Sequence, residues 1–176
     1  QLRDALAGGG TSIDRDRIQA VTQRVGRLRA RALSDRSGRS LICMSAHPVV
    51  QLRRSDMPEG DMCSSLAMTL LRKEREAVCV NLTNTTAGEA VVTARTALLT
   101  GPGGSSWDPE RVFTVRRAEY IYASAAGWLA DALVRQGSEP FTVNPGETVQ
   151  IWFSVFQPGL EPGVYESTVA IEAVFE

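Results

Sequence analysis

Several usual carriers of chemistry are scarce in this sequence. There is one histidine, His47, and it precedes Pro48 in an extended dipeptide. No G-x-S-x-G element supplies a nucleophile for it, so a surface or strand-edge role is expected rather than a catalytic one. The three cysteines, Cys43, Cys63 and Cys79, include no CxxC pair, which argues against structural zinc. An odd count allows at most one internal disulfide, with three pairings open, and buried free thiols in strands are the expected state. Asp56, Glu59 and Asp61 crowd one turn without the D-x-D-x-D-G spacing of a calcium loop, so no metal is expected. Gly101, Gly103 and Gly104 lack the Lys-Ser/Thr end of a phosphate loop and read as a flexible connection. No cofactor is implied. No apolar run approaches the roughly 18 residues of a spanning helix, so no membrane span is expected. The net charge is −1, which gives no overall attraction to nucleic acid or membrane.

What is present is the composition of an ordinary globular protein, 43% hydrophobic and 22% charged over 176 residues. That length favours one domain and can bury a core without staples. The chain begins at Gln1, as expected of a processed chain or a piece of a longer one.

Residues 1–38 read as a flexible start and an amphipathic basic helix. Gly8, Gly9 and Gly10 form a joint, and Thr11 or Ser12 can cap the helix beyond it. Ile18, Val21, Val25, Leu28 and Ala32 recur at steps of three and four, which makes one helical stripe. Asp14 and Asp16 suit the first turn, and Gly38 suits the stop. Between 14 and 39, eight arginines less three aspartates give a local +5. No aromatic residue interleaves to stack on bases, so nucleic acid is not an expected partner. The bland reading is a solvated face on a helix that docks on the body or a neighbour.

Residues 39–176 change to a period of two. Val78, Val80 and Leu82 alternate with Cys79, Asn81 and Thr83. "RVFTVRRAEYIYA", "TVQIWFSVF" and "GVYESTVAIEAVF" are further β-rich runs, separated by Gly-Pro and Pro-Gly turns. In the last run Tyr165, Ser167, Val169, Ile171, Ala173 and Phe175 share the core-facing row. "ASAAGWLADALVRQG" is the exception, because its alanines and leucines suggest a helical turn or a loop. The fold class is mainly β: an immunoglobulin-like antiparallel β-sandwich of about seven or eight strands with an N-terminal α-helix. The Cys…Trp…Cys spacing of antibody domains is absent.

Glu74 and Glu76 could resemble an acid–base pair, but Arg72, Lys73 and Arg75 flank them and point to ion pairing at a strand start. Asn81 and Asn84 each open a glycosylation sequon. Trp152 lies in a strand apolar on both faces and is expected to be packed. Trp107 and Trp128 fall in loop-like surroundings and are the candidate ligand-binding residues, since aromatic faces stack on sugar rings.

The order of segments resembles a known family. "SLAMTLLRKEREAVCVNLTN" resembles the start of the β-sandwich that precedes the catalytic barrel in family-123-type glycoside hydrolases and related uncharacterised barrel proteins, with Arg72, Glu74 and Glu76 matching its arginine-and-glutamate element. "VFTVRRAEYIYA" resembles their "v.v.rveyv" strand. "GWLADALV" resembles their "pDpL" loop through Asp131 and Leu133, with Ala130 and Ala132 in place of the prolines. "FTVNPGETVQIWFSVFQPGLEPGVYESTVAIEAV" resembles their closing strands, without the second glycine of the "GdYtG" turn. The likeness runs from Ser64 to Val174, and the helix does not belong to it. The family's catalytic carboxylates lie in the barrel, so none carries over to this chain.

The resemblance implies a non-catalytic accessory module of a larger, extracytoplasmic carbohydrate-active protein. Its expected partners are a catalytic domain of the same parent chain and a glycan. The alternative is a self-standing adhesion or protein-interaction sandwich with the helix as its partner-binding element.

Overall fold

The computed structural model describes residues 11–53, 56, 61–123, 127–156 and 159–176. The chain is mainly β, and its described residues form ten strands in antiparallel sheets and one long N-terminal helix. The triple glycine, Glu59 and Pro158 lie outside the described residues.

Helix α1 spans Thr11–Ser37. Gly38 ends it at φ +66°, where a side chain would be strained, and its N–H reaches Ser34 O at 2.8 Å. The strands after it are β1 (Leu41–Ala46), β2 (Glu76–Asn84), β3 (Ala90–Thr96), β4 (Leu99–Thr100) and β5 (Ser106–Trp107). Beyond the short helix α2 (Pro109–Val112) come β6 (Phe113–Ala123), β7 (Gly127–Arg135), β8 (Phe141–Val143), β9 (Thr148–Val155) and β10 (Val169–Phe175).

Five strands form one sheet in the order β1-β2-β9-β6-β7, and three form another in the order β10-β3-β8. The core lies between them. Val80, Leu82, Val149, Ile151 and Phe153 of the larger sheet meet Ala90, Val92, Phe141 and Val143 of the smaller. Val169, Ile171 and Ala173 of β10 pack on the same cluster, as the alternation in the last run predicts. A second cluster around Leu99, Val112 and Val155 takes in Trp107 and Tyr165.

Two expectations are corrected. Residues 127–135 form a strand, not a helical turn or loop: β7 pairs with β6 from Ala123↔Gly127 to Arg116↔Arg135. Sheet pairing along that length overrides the helical propensity of its alanines. The helix does dock on the body, but not by its apolar stripe. Ala30 is buried and Thr22, Gly26 and Leu33 are half-buried, whereas Ile18, Val21, Val25 and Leu28 are exposed. The docked face is chosen by close approach. A Cβ on Gly26 would lie 3.0 Å from Gly146 O, and one on Gly146 would lie 2.5 Å from Arg27 N.

Candidate functional site

The two faces of the five-stranded sheet carry different residues. On β2 and β9 the rows Val80–Leu82 and Val149–Ile151–Phe153 face the core. Strand geometry puts Cys79, Asn81, Thr83, Thr148, Gln150, Trp152 and Ser154 on the other face. That outer row is polar, yet all of it except Trp152 is buried.

Burial of polar groups is tolerable only when they are bonded. Thr83 Oγ1 and Thr148 Oγ1 lie 2.9 Å apart. Gln150 Nε2 donates to Asn81 Oδ1 at 3.2 Å, and Trp152 Nε1 donates to Gln150 Oε1 at 2.8 Å. Arg116 on β6, opposite Trp152, donates to Ser154 Oγ at 3.1 Å. The chain Trp152–Gln150–Asn81 therefore fixes the edge of the half-buried indole.

The segment 47–53 crosses this face. It leaves β1 at one sheet edge and reaches β7 at the other, where Ala130 N donates to Leu52 O at 2.8 Å and Arg53 bridges Leu129. Leu52 packs on Ala118 and Ala130. Between this strap and the sheet lies a cleft of about 320 Å³, within the size range of small-ligand sites. Gln150, Trp152, Asp131 and Leu133 line it beneath residues 48–51.

A bulge shapes the cleft wall. Glu119 pairs with Ala132 and the next residue, Tyr120, pairs with Ala130, so Asp131 is the extra residue on β7. Bulges re-aim side chains and recur beside functional sites. Here the bulge brings Ala130 and Leu133, three residues apart, to the same cleft, with the exposed Asp131 between them.

The sequence-predicted residues fall elsewhere. Trp107 and Trp128 lie in strands rather than loops. Trp107 meets Tyr165 edge-to-face at 5.4 Å between centroids, and Trp128 meets Tyr122 in the same way at 5.6 Å. Both are half-buried, and neither lines the cleft. His47 is exposed, and its Nδ1 accepts the Val49 N–H at 3.3 Å. Glu74 accepts the Leu71 N–H at 2.8 Å, while Arg72 pairs with Glu161 and Arg75 lies over the Phe156 ring. The two sequon asparagines are buried. Asn84 Nδ2 donates to Gly88 O and Val143 O, both at 2.9 Å, so the folded chain presents no amide there for a glycan.

Among the described residues no three His, Cys, Asp or Glu side chains gather as a metal site. The three cysteines are free. Burial pushes the Cys79 thiol up to about 11. Cys43 also rises to about 11, first by burial and then by its neighbour Cys63.

What sequence reasoning missed was Gln150 and the buried polar row to which it belongs. The signal was the polar alternation Thr148, Gln150, Ser154 on the face of β9 that carries Trp152. Asp131 and Leu133 were singled out only through the family likeness.

No family model matches the sequence, and no curated protein does. Among solved structures the chain is similar to one described as giving the details of glycolipid glycan hydrolysis by a family 123 glycoside hydrolase from Clostridium perfringens. The identity is 10% and the TM-score 0.46, over 58% of this chain and 19% of that one. The chain thus spans about a fifth of the length of the enzyme it is similar to.

Proposed function

We propose that this chain is a non-catalytic accessory β-sandwich of a larger carbohydrate-active protein, which positions a glycosidase-like barrel and holds one sugar ring in the cleft under the 47–53 strap. The observation that carries the reading is Trp152. Its indole is half-buried, like those of Trp107 and Trp128, but it alone of the three lines a ring-sized cleft, with its N–H tied to a buried amide and an exposed carboxylate, Asp131, on the wall. An aromatic face meets the C–H face of a sugar, and a carboxylate accepts its hydroxyls. The resemblance of the segments from Ser64 to Val174 supports the accessory role. Those segments supply every strand of the sandwich except β1.

Glycan-array binding tests the cleft. Binding is expected to weaken at least about tenfold in Trp152→Ala and in Asp131→Asn, and to persist in Trp107→Ala and Trp128→Ala. Loss in the latter two alone would move the site to those residues, and no signal on any glycan would remove the sugar claim. Sequencing the parent gene beyond Glu176 tests the accessory role, which a stop codon there would end. Hydrolysis of aryl glycosides by this chain alone would overturn the non-catalytic reading.

A further inference from the structure

Helix α1 has two different faces, and among the described residues only one is covered. Its docked face uses small residues, with Gly26 against Gly146 and Ala30 buried. Its apolar residues point elsewhere: Ile18 is 65% exposed, Val21 62%, Val25 37% and Leu28 64%, and Ala32 is exposed as well. Their steps of three, four, three and four are those of alternating a and d positions in a heptad. At 1.5 Å per residue the stripe runs for about 21 Å.

The residues beside the stripe are cationic. Arg17, Arg24 and Arg31 occupy the g positions, and Arg29 and Arg36 occupy e positions. We propose that this stripe docks an amphipathic helix of another protein, whose own a and d residues are apolar and whose e and g residues are Glu or Asp. The proposal does not depend on the glycan reading.

Charge selects this occupant over the others. In a pair of identical helices, parallel or antiparallel, the flanking arginines of one copy face those of the other, which is repulsive. A bilayer surface suits a broad apolar face with aromatic anchors. This stripe covers about 80° of the helix at 100° per residue and carries no aromatic residue, which is the width of a helix–helix seam. Acidic residues on a partner helix would meet the arginines on both sides of that seam.

The test uses the full chain and a synthetic three-heptad peptide with Val at a, Leu at d and Glu at e and g. Fluorescence anisotropy should show saturable binding that weakens with salt, and a peptide with Lys at e and g should not bind. Val21→Glu with Leu28→Glu should abolish binding while circular dichroism is unchanged, since both sites are exposed. Arg24→Glu with Arg31→Glu should weaken the acidic peptide at least about tenfold and admit the Lys peptide. Equal binding of both peptides, or none of the acidic one, overturns the proposal. So does sedimentation showing a dimer through this helix, or capture by phosphatidylglycerol vesicles without peptide binding. Binding that requires removal of residues 1–10 would also overturn it, since the seam would then belong to the chain's own start.

Discussion

On β2 and β9, the middle of the five-stranded sheet, the inner and outer rows are almost equally dry and differ in chemistry. Ile151 is 0% exposed on one side of β9 and Gln150 is 3% exposed on the other. The inner face is held by apolar area, which has no directional requirement. The outer rows of β2 and β9 are held by paired polar groups, which do, beside the apolar Ile42 and Met44 of β1. The first face tolerates any well-filled arrangement, and the second fixes particular atoms in place. That is why the candidate cleft sits on the outer face: Gln150 orients Trp152 because it is buried and bonded at both ends of its amide.

The largest difference between the faces should appear on deletion. Ile151→Ala leaves a void in the central cluster and should cost about 2–5 kcal/mol by urea unfolding. A cost below about 1 kcal/mol would mean that the two sheets are not closely packed there.

Gln150→Leu keeps the volume and removes the bonds. It strands the Trp152 N–H and the Asn81 carbonyl, and should cost about 1–3 kcal/mol. Any glycan binding should fall with it, because the indole loses its fixed edge. Stability near wild type with binding intact would show that the outer network positions nothing.

The same contrast explains how much of the molecule was legible from residues alone. Alternation identified β2, β9 and β10, because a sheet buried on at least one face writes its period into hydropathy. β7 was hidden, because Ala130, Ala132 and Leu133 carry helical propensity and only pairing with β6 makes them a strand. On α1 the hydropathic period was real but marked the exposed face. Docking followed the small residues Gly26 and Ala30, a choice set by the backbone of Gly146, far along the chain. The cleft needed the strap from β1 to reach β7, a long-range event without local signature. Trp152 was read as packed and is half-buried; what went unread in "TVQIWFSV" was the polar row of Thr148, Gln150 and Ser154 on its own face.

One thiol sits on each face of the sheet, and their shared shift is a test of equal dryness. Cys79 is on the outer face, and Cys43 packs toward the core. Both are pushed up to about 11 from about 9, chiefly by burial. The folded state therefore holds these protons more tightly than the unfolded one. Their contribution to stability is complete below pH 9 and is lost as pH rises from 9 to 11. Thermal melts across that window should show a decline that is smaller in Cys79→Ala and in Cys43→Ala than in the parent, measured against each variant's own value at about pH 8. A decline unchanged in Cys79→Ala alone would mean that water reaches the outer face.

The smallest expected effect is the most discriminating. Thr83 and Thr148 share one buried hydrogen bond at 2.9 Å on the outer face, close in size and shape to a pair of valines. Thr83→Val alone leaves the Thr148 hydroxyl without its partner and should cost about 1 kcal/mol or more, as should Thr148→Val. The double variant removes both hydroxyls and should lie nearer to wild type than either single one. That pattern would show that the outer face owes its polarity to positioning rather than to fold stability, since an apolar pair can replace a polar one away from Trp152. Additive losses would show the reverse, with the polar row holding the sheet together as directly as Ile151 does on the other side.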